Sequence, residues 1–236
     1  NSGSEAIDTA MKLVWYYQNI RGKPMKKKII SRRQGYHGTS VAAASLTGLA
    51  GMHKHFDLPI AGIIHVDCPH YYRSGNKGET ELEYASRCIS AIEQEIIEQG
   101  AETIAAFFAE PIMGTGGVIV PPQSYFEKLH GVLKKYDILL VADEVICGFG
   151  RTGSTWGSQT VGMVPDMITC AKALSSAYMP ISALMISDDI YQKLKSGSDD
   201  VGVFGHGYTY SGHPVCAAVA LETLKQNENR NLFETP

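Results

Sequence analysis

From residue 139 the chain reads Leu139-Leu140-Val141-Ala142-Asp143-Glu144-Val145, an apolar run that ends in two acidic side chains. A second apolar run, Met167-Ile168-Thr169-Cys170-Ala171-Lys172, ends in a lysine. Short apolar runs of this length are typical of buried strands. Because burial of an ionised side chain costs free energy, a charged group directly after a buried strand indicates a charged partner or ligand there.

The two strand ends predict a ligand site at one edge of a sheet. In open α/β sheets, ligands bind outside the carboxyl ends of the strands, and a lone lysine there can serve as an amine nucleophile. Taken alone, Lys172 is more simply a surface or salt-bridged lysine, and Asp143 a helix cap or a partner for Arg151. The chemical interpretation of the pair therefore depends on the other motifs of the chain.

Strand and helix patterns alternate along the chain up to Lys172. Such alternation predicts an α/β fold with a mixed, mostly parallel sheet and helices on both faces. The apolar run 181–186 follows Lys172 too soon for a parallel crossover, which takes about a dozen residues or more, so we expect it to pair antiparallel. The predicted helices are 5–21, 40–47, 79–99, 124–136 and 214–226, and the predicted strands are 29–30, 63–66, 104–109, 138–142, 167–171 and 181–186.

The bulk composition excludes several classes of function. The chain has 236 residues, a net charge of −3 and a pI of about 6.3, so it lacks the positive field of a nucleic-acid-binding protein. We interpret its one basic run, 26–33, as a solvated strand edge. No apolar stretch of the sequence reaches membrane-spanning length. The five cysteines are odd in number and lack a C-x-x-C spacing, which indicates reduced thiols in a cytoplasmic protein and no zinc site.

Both ends of the chain look like cuts within a longer protein. The sequence starts without an initiator methionine, directly in the motif Asn1-Ser2-Gly3-Ser4, and it ends just after a predicted helix. We therefore expect residues 1–236 to be one domain of a longer protein, and we leave an organellar targeting peptide open.

Three further motifs carry groups suited to a ligand. Ser2-Gly3-Ser4-Glu5 opens a helix, where free N–H groups and hydroxyls can bind an anion, although a plain N-cap is the simpler interpretation. Tyr36 lies in a glycine-flanked loop, where it can stack on a planar ligand or be an ordinary half-buried tyrosine. The loop 206–214 combines histidines, tyrosines and glycines, a composition more typical of function than of packing.

Residues 148–153 match the dinucleotide fingerprint G-x-G-x-x-G literally. That fingerprint must open a helix directly after a strand. Here Asp143 and Glu144 intervene and no helical pattern follows, so we interpret the segment as a glycine-rich wall of the site. A nicotinamide-dependent oxidoreductase stays open as the alternative from another class.

Together these motifs resemble the class III, fold type I, pyridoxal-phosphate-dependent aminotransferases. The resemblance covers essentially the whole chain and implies that residues 1–236 are the cofactor-binding large domain of that family, without its N-terminal segment and C-terminal small domain. The motifs that carry it are Ser2-Gly3-Ser4-Glu5-Ala6, Tyr36-His37-Gly38, Glu110-Pro111, Asp143-Glu144-Val145-Ile146-Cys147-Gly148-Phe149-Gly150-Arg151-Thr152-Gly153, Ala171-Lys172-Ala173-Leu174-Ser175-Ser176 and Tyr208-Thr209-Tyr210-Ser211-Gly212-His213-Pro214.

The resemblance implies a role for each site residue toward pyridoxal 5'-phosphate. Lys172 would form the Schiff base and then move a proton, and Asp143 would pair with the pyridine nitrogen and keep it protonated. The other implied contacts are Gly3 and Ser4 with the phosphate, Tyr36 and Val145 on the two ring faces, Glu110 as a nearby supporting or substrate-side carboxylate, and Thr209 with the phosphate of the neighbouring subunit in a homodimer.

The same resemblance narrows the substrates. Ile146 stands where many family members that use 2-oxoglutarate have glutamine, and Ile146-Cys147 is similar to pyruvate-using ω-aminotransferases. The stretches 56–59, 67–73 and 171–180 look like pyruvate-dependent 4-aminobutyrate transaminases. The predicted reaction moves an amino group from a terminal amine or ω-amino acid, such as 4-aminobutyrate, to a 2-oxo acid, pyruvate. A racemase, decarboxylase or aminomutase on the same scaffold stays open, as does a non-catalytic homologue.

Overall fold

The computed structural model describes residues 1–198 and 202–233, which form one sheet with helices on both faces. The strands are β1 Lys28–Arg32, β2 Ile63–Val66, β3 Ile104–Ala109, β4 Leu139–Asp143, β5 Met167–Cys170 and β6 Ala183–Ile186. The helices are α1 Gly3–Ile20, α2 Val41–Leu46, α3 Tyr71–Ser74, α4 Glu81–Gln99, α5 Tyr125–Lys135, α6 Gly157–Thr160, α7 Asp188–Gly197 and α8 Pro214–Asn229. The predicted α/β class is confirmed.

The sheet is mixed, as the sequence predicts. Its strand order is β2-β1-β3-β4-β5-β6, and all neighbouring pairs from β2 to β5 are parallel. β6 pairs antiparallel with β5, so that Cys170 lies opposite Ala183. The short connection between these two strands cannot make a parallel crossover, and the reversal of direction follows from its length.

Each face of the sheet carries its own apolar core. Phe107 and Leu140 pack under α4 and α5 on one face, whereas Phe108 and Val141 pack under α1 on the other. Successive side chains of a strand point to opposite faces, so a strand covered on both sides must be apolar throughout. This is the physical reason why β3 and β4 are continuous apolar runs in the sequence.

The strand order creates a crevice above β1 and β3. β2 lies on one side of β1 and β3 on the other, and the connecting helices α2 and α4 lie on opposite faces of the sheet. Ligands of open α/β sheets bind at such a change of direction, outside the carboxyl ends of the strands. The segments that follow β1, β3, β4 and β5 all begin at this edge.

The interpretation of the basic run as a solvated strand edge is wrong. β1 lies between β2 and β3, and Lys26, just before it, is 5% exposed. Lys26 Nζ donates to the backbone carbonyls of Ile104, Tyr136 and Asp137 at 2.8, 3.1 and 2.9 Å. Burial lowers the pKa of Lys26. Carbonyl oxygens at the amino ends of β3 and β4 thus replace the water that an exposed lysine would bind.

Two findings concern the membrane-spanning and metal-binding classes that the sequence disfavours. Among the described helices, none is long and apolar enough to cross a bilayer. The described residues also contain no group of three or more histidine, cysteine or acidic side chains placed to hold a metal ion. All five cysteines are unpaired, and Cys147, Cys170 and Cys216 are buried.

Candidate active site

A cavity of about 430 Å³ lies at the carboxyl edge of the sheet. Its walls come from the start of α1 and from the segments that follow β1, β3, β4 and β5. Of the eight residues predicted for the site, these seven line the cavity: Gly3, Ser4, Tyr36, Glu110, Asp143, Val145 and Lys172. Residues far apart in sequence meet here because parallel strands all end at the same edge.

Thr209 does not line this cavity. It is exposed, and its neighbours Tyr208 and Tyr210 line a second cavity of about 430 Å³ that shares Asn1 and Ile181 with the first. The predicted contact of Thr209 with a neighbouring subunit stays a prediction.

Asp143 is the last residue of β4 and is 4% exposed. Its Oδ1 accepts a hydrogen bond from the backbone N–H of Val145 at 3.1 Å. Its Oδ2 lies 2.8 Å from Nδ1 of His37, which donates when that nitrogen carries the proton. Both carboxylate oxygens are therefore held in one orientation inside a water-poor pocket.

His37 is the site residue that sequence reasoning missed. It belongs to the Tyr36-His37-Gly38 motif, but the motif alone predicts no role for this histidine. Its side chain is 1% exposed, and its backbone N–H donates to Thr47 Oγ1 at 2.9 Å. A usable signal exists in the sequence, because His37 is an ionisable residue in the loop that follows a buried parallel strand.

Glu110 follows β3 and is 2% exposed. Its Oε1 accepts from the backbone N–H of Tyr36 at 3.0 Å, and its Oε2 accepts from the N–H of Gly114 at 2.9 Å. Burial raises the pKa of Glu110, while the hydrogen bond from Tyr36 and the guanidinium of Arg32 act in the opposite direction. The carboxyl group of Glu110 thus fixes the loop that carries Tyr36 over the cavity.

The first turn of α1 forms the anion-binding side of the cavity. Ser2 is the N-cap, and its Oγ accepts from the N–H of Glu5 at 3.2 Å. Helix geometry leaves the N–H groups of Gly3 and Ser4 without intrahelical acceptors, and the helix dipole favours negative charge beside them. A Cβ on Gly3 would lie 3.0 Å from Val145 Cγ1, so a larger residue would require Val145 or α1 to shift.

Lys172 lies two residues after Cys170, the end of β5, and begins the short 3-10 helix Lys172–Ser175. Its backbone has a φ of 43°, in the left-handed region that a non-glycine residue rarely occupies. Among the described residues its ammonium group has no hydrogen-bond or ion-pair partner, and it lines the cavity. The strained backbone therefore presents an uncommitted amine to the cavity.

The glycine-rich segment 148–153 forms turns, and the next helix, α6, begins only at Gly157. The dinucleotide fingerprint thus lacks the helix that its phosphate contact requires. Glu144 holds the start of α6, since its fully buried carboxylate accepts from the N–H groups of Gly157 at 2.9 Å and Ser158 at 2.7 Å. Burial raises the pKa of Glu144, partly opposed by these hydrogen bonds.

The chain belongs to the class III aminotransferase family, whose sequence model matches residues 1–235. This membership confirms the resemblance carried by the motifs. The chain is 55% identical to "Gamma aminobutyrate transaminase 3, chloroplastic" of Solanum lycopersicum over 234 residues, which are 99% of this chain and 45% of the relative. It is also 55% identical to "Probable gamma-aminobutyrate transaminase 2, mitochondrial" of Oryza sativa subsp. indica, over 98% of this chain and 47% of the relative.

The solved structures agree with the sequence relatives. An omega transaminase from Pseudomonas jessenii in complex with PMP is 56% identical, with a TM-score of 0.97 over 99% of this chain and 52% of that chain. The chain thus spans about half the length of the proteins that it matches.

Proposed function

We propose that this chain is the pyridoxal 5'-phosphate-binding part of an ω-aminotransferase. The full-length protein would move an amino group from a terminal amine or ω-amino acid, such as 4-aminobutyrate, to pyruvate. The observation that carries the proposal is the free amine of Lys172 in the same cavity as the buried Asp143–His37 pair. Membership of the class III aminotransferases supports it.

The residues of the cavity fit the cofactor. Its phosphate suits the uncommitted N–H groups of Gly3 and Ser4 at the start of α1. Its flat ring would stack on the aromatic side chain of Tyr36 and pack on the branched side chain of Val145, both of which line the cavity. Its ring nitrogen suits the oriented carboxylate of Asp143.

When bound, the cofactor supplies an aldehyde carbon that condenses with amines and a protonated ring that accepts an electron pair. The residues of this chain would hold the ring and move protons. Lys172 Nζ would supply the amine that the substrate displaces, and would then take the proton from the substrate carbon and return it. Asp143 would hold the proton of the ring nitrogen, with His37 keeping the carboxylate in place.

The substrate side of the cavity is largely apolar. Ile146, Met179 and Ile181 line it, and a Cβ on Gly114 would lie 2.8 Å from Ile146 Cδ1, so Gly114 packs closely against Ile146. No arginine stands among the described residues that line the cavity. We place recognition of the substrate carboxylate in the C-terminal small domain, outside residues 1–236, which we take to be the large domain.

The same proposal covers the oligomeric state of the protein and its location in the cell. We propose a homodimer in which Thr209 reaches the phosphate bound in the neighbouring subunit, with amine donors and 2-oxo acids as the small-molecule partners. Five unpaired cysteines fit a reducing compartment such as the cytoplasm. The curated relatives are named as chloroplastic or mitochondrial proteins, and localisation of the tagged full-length protein would separate these cases.

The test of the activity uses the full-length protein loaded with pyridoxal 5'-phosphate. With 4-aminobutyrate and pyruvate, we expect stoichiometric alanine, and no alanine would refute the proposed pair of substrates. Conversion of a single amine without a 2-oxo acid would instead support a racemase, decarboxylase or aminomutase.

The assignment of the lysine has its own test. Borohydride reduction should attach the cofactor to Lys172, and the mass increase should disappear in Lys172→Ala, with a loss of activity of about 10³-fold or more. Lys77→Ala is the matched control, because Lys77 is exposed and lies away from the cavity. Trapping of the cofactor by the Lys172→Ala protein would overturn the assignment.

A further inference from the structure

Two separate elements hold the two ends of the proposed cofactor. The start of α1 offers Gly3 and Ser4 to the phosphate, whereas the loop before α2 carries Tyr36 to the ring. The spacing of these two elements decides whether the ring and the phosphate can be held together. The contacts that set this spacing therefore influence binding without touching the ligand.

Asp8 makes the main polar connection between the two elements. It lies one turn after Ser4 on α1, and residues four apart share one face of a helix. Its Oδ1 accepts from Ser40 Oγ at 2.8 Å and from the backbone N–H of Ala43 at 3.0 Å. One turn earlier, Ser4 Oγ accepts from the N–H of Thr39 at 3.0 Å.

The contact with Ala43 is a helix cap supplied from another helix. Ser40 is the N-cap residue of α2, but its side chain makes no cap hydrogen bond and instead donates to Asp8. Asp8 takes over the cap by accepting from Ala43, the third residue of α2, and its negative charge suits the helix N-terminus. α2 is thus capped only when it is docked against α1.

The tight packing around Gly38 is a second sign that the loop is docked on α1. It has a φ of +140°, and a Cβ there would lie 2.4 Å from Ser4 Oγ and 2.9 Å from the Ala43 side chain. At Gly38, two residues after Tyr36, the loop therefore lies directly against the turn of α1 that carries Ser4.

We propose that Asp8 is a positioning residue for the cofactor. It locks the 36–40 loop to the first turns of α1, and so keeps the ring-facing side chain of Tyr36 at a fixed distance from the phosphate-binding N–H groups of Gly3 and Ser4. The inference rests on the proposed function, and it adds a residue that does not line the cavity.

The test measures cofactor binding by the full-length apo-protein rather than activity. Pyridoxal 5'-phosphate and unphosphorylated pyridoxal are titrated separately and followed by absorbance. Asp8→Ala should raise the dissociation constant for pyridoxal 5'-phosphate about fivefold, the loss expected for a helix cap of ordinary strength. It should also reduce the preference for the phosphorylated ligand, because ring and phosphate are no longer held in register.

Asp8→Asn is the matched variant, since its amide oxygen can accept both hydrogen bonds, and we expect a change below about twofold. Asp8→Glu keeps the charge but moves the oxygen atoms, so it should weaken binding. Asp188→Ala controls for loss of an exposed helix aspartate, because Asp188 accepts only from Gln192 of its own helix among the described contacts.

The outcomes separate this inference from the proposed function. Failure of the wild-type protein to bind pyridoxal 5'-phosphate would refute the proposed function itself. Wild-type binding together with an unchanged dissociation constant and an unchanged preference in Asp8→Ala would overturn the role of Asp8 alone. If Asp8→Ala does not fold, equal dissociation constants for Asp8→Glu and Asp8→Asn would overturn it in the same way.

Discussion

His37 Nδ1 lies 2.8 Å from Asp143 Oδ2, although the two residues are 106 positions apart in the chain. Their side chains are 1% and 4% exposed, so water does not compete for the contact. Hydrogen bonds to charged groups are stronger than neutral ones, and more so where water is excluded. The pair therefore holds the Asp143 carboxylate, which we propose to pair with the ring nitrogen of the cofactor, in one fixed orientation.

Removal of this imidazole should impair catalysis more than folding. For His37→Ala we expect kcat/KM to fall about 10- to 100-fold, the equivalent of the ~1.5–3 kcal/mol of a hydrogen bond to a charged group. Steady-state kinetics and the melting temperature of the apo-protein would check this. His37→Asn, which retains a side-chain N–H donor, should recover part of the loss.

A second histidine variant provides the control. His53 is half-buried and bonds to the carbonyl of Ala44 at 2.9 Å, outside the cavity. His53→Ala should leave kcat/KM near the wild-type value. An equal loss in both variants would mean that the His37 effect is general destabilisation.

Glu110 should make stability depend on pH above pH 4.5. Burial raises its pKa above the ordinary 4.5, so its contribution to stability is fully present below pH 4.5 and is lost as the pH rises through the folded-state pKa. The loss cannot exceed about 1.4 kcal/mol per pH unit of that interval.

The measurement compares wild type with Glu110→Gln by urea unfolding of the apo-protein from pH 4 to pH 8. The difference in free energy of unfolding, wild type minus variant, should be largest at pH 4 and should decrease toward neutral pH. A difference that grows with pH would contradict the raised pKa of Glu110.

Lys26 should be a strong structural determinant despite its place in a basic run. Lys26→Met would leave the carbonyls of Ile104, Tyr136 and Asp137 without their donor. We expect a loss of about 2–4 kcal/mol in free energy of unfolding, because each buried unsatisfied group costs ~1–3 kcal/mol and part of this is relieved by relaxation. Denaturant unfolding measures the loss.

The neighbouring lysine is the natural comparison. Lys27 Nζ bonds to the exposed side-chain oxygen of Asn19, and surface changes of this kind stay within about 0.5 kcal/mol. Equal losses in free energy of unfolding for Lys26→Met and Lys27→Met would contradict a stabilising role for the bonds from Lys26 to the three backbone carbonyls.

The buried thiols should be chemically inert in the folded protein. Burial raises the pKa of Cys147 to about 12 and that of Cys170 to about 11, and the thiolate is the reactive form. Iodoacetamide at pH 8 should therefore leave both unmodified in the native protein and label both after unfolding in urea. Peptide mass spectrometry reads the labelling site by site, and rapid native labelling of Cys147 would contradict its burial.

Local patterns predicted all six strands and five of the eight α-helices among the described residues, but they missed α3, α6 and α7. The 3.6-residue spacing of Ile89, Ile92 and Ile96 predicts α4, and the continuous apolar run 104–109 predicts β3, since each pattern reports which faces are covered. Boundaries shifted by up to three residues, as at the end of α8, which lies at Asn229 and not at Gln226.

Burial and pairing were harder to predict because they depend on distant residues. The charge of Lys26 indicated exposure, yet the amino ends of β3 and β4 surround it with carbonyl oxygens. Ser40 is of a residue type that commonly caps helices, yet Asp8 of another helix caps α2. Nothing local to either residue reports the partner that changes its role.

By itself, the sequence determined which residues stand at strand ends, the alternation that makes a mostly parallel sheet, and the family to which the chain belongs. Asp143 and Lys172 could be singled out because an ionisable group after a buried run is costly wherever the strand is placed. The tertiary structure alone decided which of these groups meet. Strand order and helix docking bring His37 to Asp143 and Asp8 to α2, and such contacts depend on register and packing between segments, which a local pattern does not encode.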